Sequence, residues 1–239
     1  RNQAHGSPAN ILDLYAASGI PETEGTNVLG MKLASSAAHV TGKNLTSAET
    51  ATWLDEHWVS TLNDIKHRVD LMFFGGVNHN CYHGTVFSPP GVAWPGHHFY
   101  AAVELDPSNS IWADADVLNA YVARSQSFLQ AGRPANDILL YYPIHDQWAV
   151  RGNGAMPHFG GGARPGGQGT AQTLLDRGYT FDFVSDRLLN GVKAADGGLE
   201  TGGNRYRVIV VPEVKFMPSD TLRQLFTLAD AGATVIFHG

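Results

Sequence analysis

The sequence has only one cysteine, Cys81, among its 239 residues. A single thiol excludes an intrachain disulfide framework and any zinc site of the CxxC type within this chain. It does not assign a cellular compartment, because many secreted bacterial enzymes also lack disulfides. No run of 18 apolar residues occurs, so the sequence predicts no membrane span.

Charged residues are also scarce, at 16% of the chain, and the net charge is −6. Without a basic field to attract phosphates, nucleic acid is not an expected partner. The chain combines this low charge with 27 glycines and a 10% content of aromatic residues. Such a composition is typical of proteins whose long, ordered loops carry the function.

Neither end of the sequence looks like a natural protein terminus. The first residue is Arg1 rather than Met, no signal peptide is visible, and the last residues, ATVIFHG, read as a strand. We interpret both ends as cuts through a longer polypeptide. The length itself allows one large domain or two smaller ones.

Helices and short apolar segments alternate in the first half. Helices are predicted at 7–20 and 29–43, and short β-prone segments at 20–25 and 44–50. A third helix is predicted from the SAETATWLDEHW segment to about Val69, followed by a buried parallel strand at 71–74 and a Gly-, His- and Asn-rich loop. This alternation predicts an α/β fold with a parallel sheet.

The second half repeats the alternation. An amphipathic helix at 114–132 ends at Gly132, and apolar segments such as ILLYY and RVIVVP then read as strands between helices. The pattern is typical of an open, doubly wound α/β sheet. We therefore predict two domains, at 1–133 and 134–239.

Polar residues cluster after the predicted strands of the first half. Glu22 and Glu24 follow one strand, and Glu49 follows the next. The active site of a (β/α) barrel lies at the carboxyl ends of its strands, which fits this placement. Other interpretations stay open at this stage: Glu49 could be a helix-start carboxylate, and Glu22 and Glu24 could form a loop ion pair.

Histidines and asparagines accompany these carboxylates, together with aromatic residues. The polar set is Asn2, His5, Asn78, His79 and His83, and the aromatic set is Trp53, Trp58, Tyr82, Trp94, Tyr100 and Trp112. Polar groups that bind hydroxyls beside aromatic faces that cover C–H groups are typical of a sugar pocket. The aromatics could equally be core residues.

Two other chemistries are less well supported by the motifs. His79 and His83 are four residues apart, but in a predicted loop and without an HExxH pattern, so a transition-metal site is the weaker interpretation. Cys81 matches no nucleophile signature and is interpreted as an incidental thiol.

Taken together, six segments resemble the α-L-rhamnosidases of glycoside hydrolase family 106. They are RNQAHGSPANILDLYA, IPETEG, KLASSAAHVTGK, SAETATWL, GVNHNCYHGT and PSNSIW. The resemblance runs through most of residues 1–150, and its specificity lies in the set rather than in any one segment. The second half resembles the amidotransferase-like domain that follows the barrel in several glycosidases, but it has no nucleophilic cysteine.

The resemblance implies a fold and an activity. The fold is the C-terminal part of a (β/α)8 TIM-type barrel followed by an amidotransferase-like doubly wound α/β domain. The activity is hydrolysis of terminal α-L-rhamnosides with inversion, aided by a bound calcium ion, Ca2+. Inverting enzymes use a general acid and a general base held roughly 6.5–9.5 Å apart.

The resemblance also implies roles for individual residues. Glu49 would be the general base, and the acid would lie upstream of Arg1. Glu22 would bind calcium. The residues that would contact a rhamnose-containing substrate are Asn2, His5, Glu24, Asn78, His79 and His83.

Two expectations and two alternative hypotheses follow for the protein as a whole. The full-length enzyme is expected to be secreted or periplasmic, and the isolated 239 residues are expected to be inactive. A non-catalytic carbohydrate-binding or scaffold protein is the alternative to a hydrolase. A hydrolase built around a transition metal at His79 and His83 is the third hypothesis.

Overall fold

The computed structural model describes residues 1–4, 7–54, 58–150 and 168–238. Its first sheet has four parallel strands, in the order β1 (Asn2–Gln3), β2 (Pro21–Thr23), β3 (Ser47–Thr50) and β4 (His79–Tyr82). Each strand is followed by a helix: α1 (Ile11–Ala17), α2 (Val28–Thr41), α3 (Leu62–Phe74) and, after a 3-10 turn at Ser110–Asp114, α4 (Ala115–Ala131). The predicted α/β fold with a parallel sheet is confirmed.

Side chains in the local sequence set where these helices begin. Asn10 and Asn27 cap α1 and α2 by accepting backbone N–H bonds from the first turn. Thr61 and Asp64 form a reciprocal capping box at the start of α3. Each cap satisfies N–H groups that have no partner inside the helix, so these helix starts are specified locally.

The third helix and the fourth strand differ from the sequence prediction. The segment 71–74 is not a strand but the last turn of α3, and the strand is His79–Tyr82, inside the predicted loop. Buried Ile65, Val69 and Met72 follow the helical spacing, and a short apolar run cannot be told from a helix by its hydrophobicity alone. The helix also begins later than predicted, since Thr52 and Trp53 are irregular.

A second parallel sheet follows, in the spatial order β11-β10-β5-β6. Its strands are β5 (Ile138–Tyr141), β6 (Phe181–Val184), β10 (Val208–Val211) and β11 (Thr234–Phe237), and its helices are α5 (Ile144–Trp148), α6 (Gln168–Asp176), α7 (Asp186–Leu189) and α8 (Ser219–Asp230). A small antiparallel sheet is formed by β7 (Lys193–Ala195), β8 (Gly198–Glu200) and β9 (Arg205–Tyr206). The predicted Gly-rich loop at 152–170 lies mostly outside the described residues.

Helix α2 lies between the two parallel sheets. Eleven of its 14 residues are buried, so it lacks the broad polar face that a surface helix exposes to solvent. One core cluster combines Leu33 and Ala37 of this helix with Leu140 and Phe183 of the second sheet. The two sheets therefore share a hydrophobic core through α2.

A buried polar group accompanies this shared core. Asp182 of β6 is fully buried and accepts hydrogen bonds from the Tyr206 hydroxyl and from Nδ1 of His39, each at 2.9 Å. Lys32 lies close by, with Nζ 4.8 Å from the centre of the Phe181 ring. Within the part of the chain that the structure describes, no helix is long and apolar enough to cross a membrane.

Candidate active site

One face of the first sheet carries a row of polar side chains. The parallel register pairs Gln3 with Glu22, Glu22 with Ser47, and Ser47 with His79. Residues in register point to the same side of a sheet, and so do residues two apart along a strand. Glu49, which pairs with Cys81, therefore lies on this same face, one step nearer the carboxyl ends.

Glu49 is surrounded by hydrogen-bond donors. Its Oε2 accepts a bond from Nε2 of Gln3 at 2.5 Å, and its Oε1 accepts one from the Thr52 hydroxyl at 2.9 Å. Nδ1 of His83 lies 3.2 Å from the same Oε1, and the Glu49 side chain is 23% exposed. A carboxylate held by donors on both oxygens, yet still accessible, can accept a proton from a bound molecule.

A strained turn brings Thr52 to Glu49. Ala51 has a φ of 64°, in the left-handed region that residues with a side chain rarely adopt. The conformation costs about 1–2 kcal/mol. It turns the chain at the end of β3, so that the Thr52 hydroxyl reaches the carboxylate three residues earlier.

His83 lies just beyond the carboxyl end of β4 and has a defined tautomer. Its Nδ1 is 2.7 Å from the carbonyl oxygen of Ala101, which can only accept a hydrogen bond. Nδ1 therefore carries a proton in both the neutral and the charged ring. In the neutral ring Nε2 is an acceptor. The edge-on ring of Phe99, 5.5 Å from that of His83, begins a group of partly exposed aromatic side chains.

Glu22 is almost buried and is paired with a cation. Its Oε2 lies 3.1 Å from Nε of Arg1 and accepts a hydrogen bond from the Ser47 hydroxyl at 2.7 Å.

Burial raises the pKa of the neighbouring Cys81 thiol despite the opposing charge of Arg1. A raised pKa keeps this thiol protonated at neutral pH, which agrees with Cys81 not being a nucleophile.

The structure does not bring Asn78 and His79 together with Glu49. Asn78 precedes β4, and its amide accepts a bond from Thr46 N and donates one to the carbonyl of Asn44. His79 begins β4 and lies opposite Ser47. Both are therefore at the amino end of the strands, whereas Glu49 is at the carboxyl end.

The remaining sugar-contact predictions fall in different places. Asn2 is exposed and, by strand alternation, points away from the face that carries Gln3 and Glu49. Glu24 directly follows β2 and is half-buried. His5 lies outside the described residues.

The described side chains of this face do not form a metal site by themselves. Among those that the structure describes, no group of three or more His, Cys, Asp or Glu side chains could hold a metal ion. His79 and His83 lie at opposite ends of β4, about 13 Å apart at a strand rise of about 3.3 Å per residue. They cannot bind one transition metal together. A Ca2+ ion at Glu22 would face the positive charge of Arg1 on the same oxygen.

A cavity of about 990 Å³ lies elsewhere, among residues such as Asn44, Asn78, Asn136 and Thr180. These residues precede strands, so the cavity opens at the amino ends of both parallel sheets. Among the described residues of its lining, Glu200 is the one carboxylate. Paired acid–base chemistry needs more than that, so we assign the candidate site to the polar face around Glu49.

Sequence reasoning missed several residues of this face. Gln3 and Arg1 would have been found by applying the two-residue period of a strand to the first residues of the chain. Thr52 gave no such signal, because its contact depends on the turn at Ala51. Away from this face, fully buried Glu104 accepts the N–H of Phe99 at Oε1, at 2.9 Å, and is marked in the sequence by its place in the apolar stretch AAVEL.

Solved structures share this fold. A rhamnosidase from Novosphingobium sp. PP1Y superposes with a TM-score of 0.64 at 24% identity, over 95% of this chain and 22% of its own. A catalytic mutant of a family-42 β-galactosidase from G. stearothermophilus superposes with a TM-score of 0.54 at 12% identity, over 99% of this chain and 31% of its own.

Sequence comparisons identify the family. A protein from Formosa agariphila named "Putative beta-glucuronidase" is 27% identical over 210 residues, which cover 86% of this chain and 16% of that protein. The chain thus spans less than a quarter of the length of this relative and of the Novosphingobium rhamnosidase. The sequence model of glycoside hydrolase family 106, described as α-L-rhamnosidase, matches residues 11–238. The chain belongs to glycoside hydrolase family 106.

Proposed function

We propose that this chain is part of a glycoside hydrolase that removes terminal α-L-rhamnose with inversion, and that Glu49 is its general base. The observation that carries the proposal is the Glu49 carboxylate, accessible on the polar face and held by donors on both oxygens. Family membership supports the reaction class.

The proposed mechanism uses this geometry. Glu49 takes a proton from a water molecule, which attacks the anomeric carbon from the side opposite the leaving group. Donors on the carboxylate limit its rotation, so one oxygen stays directed at the water. We place the general acid in another part of the full-length enzyme, as the resemblance to the family implies.

We also propose an architecture and the sugar contacts. Residues 1–133 form part of a (β/α)8 barrel, supported by four parallel strands that each precede a helix, and residues 134–239 form the amidotransferase-like domain. His83 Nε2 accepts a bond from a sugar hydroxyl, and the Phe99 and Tyr100 rings cover a C–H face. The other predicted contacts, and a secreted or periplasmic location, stay predictions.

Calcium is a separate proposal. The described residues alone do not fit a calcium site, because Arg1 faces Glu22 and no group of three metal-binding side chains occurs among them. If Glu22 binds a calcium ion, the other oxygen ligands of that ion would come from the rest of the enzyme. No step above depends on the ion. Calorimetric titration of Ca2+ into the full-length enzyme, with Glu22→Gln as the variant, tests it.

The experiment for the main proposal replaces Glu49 in the full-length enzyme. Glu49→Gln keeps the size of the side chain and removes the base, and we expect kcat on an aryl α-L-rhamnoside to fall about 10²- to 10⁴-fold. Glu200→Gln, an exposed carboxylate of the small sheet, is the matched control. Proton NMR of the first product formed reports inversion or retention.

Each outcome bears on the proposal. Near-normal kcat in Glu49→Gln removes Glu49 from the mechanism, and a retained anomeric configuration removes inversion. If the wild-type full-length protein binds rhamnose by calorimetry without turnover, the carbohydrate-binding alternative replaces the hydrolase. Robust hydrolysis by residues 1–239 alone would contradict the placement of the acid outside this chain.

A further inference from the structure

The contact between Gln3 and Glu49 crosses an intervening strand. Gln3 lies on β1, Glu49 lies on β3, and β2 runs between them. The register places Gln3 level with Glu22 and Ser47, so Glu49 is one two-residue step, about 6.6 Å, closer to the carboxyl ends. Two strand spacings of about 4.8 Å also separate β1 from β3, so the Gln3 and Glu49 side chains cover the diagonal together. Nε2 of Gln3 reaches Oε2 of Glu49 at 2.5 Å.

The two oxygens of Glu49 are held differently. Oε1 has two neighbours, the Thr52 hydroxyl and Nδ1 of His83. Among the described residues, Gln3 is the one donor that reaches Oε2. The Nδ1 proton of His83 is directed mainly at the carbonyl of Ala101, so Thr52 is the principal donor to Oε1. Loss of Gln3 would leave Oε2 without its donor and free the carboxylate to rotate about its contact with Thr52.

The chemistry of the pair fixes the orientation of the Gln3 amide. An ionised carboxylate only accepts hydrogen bonds, so the amide nitrogen, not its oxygen, faces Glu49. Gln3 is half-buried at this position. Its amide therefore gives up part of its solvation for a bond to a charged group, which is a stronger bond than one between neutral groups.

We infer that Gln3 is a positioning residue that sets the orientation of Glu49 for general-base catalysis. The inference rests on the proposed function, in which Glu49 activates water. Gln3 acts through Glu49 and not on the sugar, so its loss lowers kcat and leaves substrate binding largely intact. Positional errors of about 1 Å in a catalytic group cost about 10²-fold in rate.

The test uses two variants of the full-length enzyme. Gln3→Met keeps the length and removes the donor, and we expect kcat to fall about 10- to 100-fold with KM changed by about twofold or less. Gln3→Glu places a second carboxylate against Glu49. Two carboxyl groups at this distance share one proton, so the acidic limb of the kcat/KM profile moves to higher pH.

A matched control variant and an unchanged set of neighbouring charges allow a change in kcat to be assigned to the contact between Gln3 and Glu49. Gln172 donates to Asp176 at 2.8 Å on the exposed face of α6, so Gln172→Met removes the same kind of bond far from the site, and kcat stays unchanged. Among the described residues, the other titratable groups close to the pair are His83, Cys81 and the ion pair of Arg1 with Glu22, which are the same in all variants.

The outcomes separate this inference from the proposed function. If Glu49→Gln is active, the proposed function fails whatever Gln3 shows. If Glu49→Gln is inactive while Gln3→Met keeps kcat within twofold, only the role of Gln3 is overturned. If Gln3→Met does not fold, Gln3→Glu decides: a shifted acidic limb supports the inference, and an unshifted limb with normal kcat overturns it.

Discussion

His39 on α2 and Asp182 on β6 are joined by a 2.9 Å contact between Nδ1 and Oδ1, across 143 positions of sequence. The carboxylate is fully buried and also accepts the hydroxyl bond of Tyr206. Burial alone would raise the pKa of Asp182, but His39, Lys32 and Asn136 together outweigh it and hold the pKa below its usual range. A charged group therefore ties the helix of one sheet to a strand of the other.

Removal of this carboxylate is expected to destabilise the whole chain. Asp182→Ala leaves His39 and Tyr206 without their shared acceptor, and buried Lys32 without the nearby negative charge. Breaking a buried pair in this way costs about 3–5 kcal/mol. Urea unfolding measures the loss. Asp137→Ala removes the exposed partner of Arg207 and is the control, with an unchanged midpoint. Equal effects of the two substitutions would contradict the role of Asp182.

The lowered pKa of Asp182 also predicts a pH dependence. An acid whose pKa is lower in the folded state contributes its full stabilisation above its unfolded value, near 3.8. That contribution is lost as the pH falls through the lower folded value. We expect Asp182→Asn to be less stable than wild type at pH 5, and the difference in free energy of unfolding to narrow below about pH 4. A difference that is constant from pH 5 to pH 2 would contradict this.

Truncation of Leu33 tests the shared core. The side chain is fully buried in α2 and belongs to the cluster that includes Leu140 and Phe183. Leu33→Ala is expected to cost about 2–5 kcal/mol. Because both sheets lose the same contact, far-ultraviolet circular dichroism and tryptophan fluorescence should still report one coincident transition. Leu222→Ala, on the partly exposed face of α8, is the control. Two separated transitions would show that the sheets unfold independently.

A close backbone contact explains the glycine at position 203. A Cβ there would lie 2.3 Å from the Cα of Gly42, at the end of α2, and equally close to the carbonyl oxygen of His39. Gly203→Ala is expected to destabilise the chain by about 1–3 kcal/mol, because the turn after β8 must move away from the helix. Thermal unfolding measures it. Gly19→Ala meets no atom within 4 Å and serves as the reference.

The sequence predicted most of the helices and the parallel sheets because their signals are local. The end of α4 at Gly132 and the apolar segment that forms β10 are both marked by residues close together in the sequence. The polar strand β4 was missed for the opposite reason. None of its residues is fully buried, so its hydrophobicity gave no strand signal, and its place is set by pairing with β3.

The candidate site was predicted only in part, for a similar reason. Glu49 and His83 do lie near the carboxyl ends, and Glu22 lies on the same face one two-residue step earlier. Asn78 and His79 were grouped with His83 by sequence proximity, but an extended strand separates them by its own length. The contact of Gln3 with Glu49 depends on which strands are neighbours, and no short segment encodes that.

The position of α2 between two sheets has a consequence for how this region can be inherited or engineered. A gene rearrangement that exchanged residues 134–239 for an unrelated module would uncover Leu33 and Ala37 and leave Lys32 facing solvent without Asp182. A foreign replacement would have to supply a matching acid and a complementary apolar surface at once. The two halves are therefore expected to be transmitted as a single block, and the loops above the sheets are the safer places for insertions.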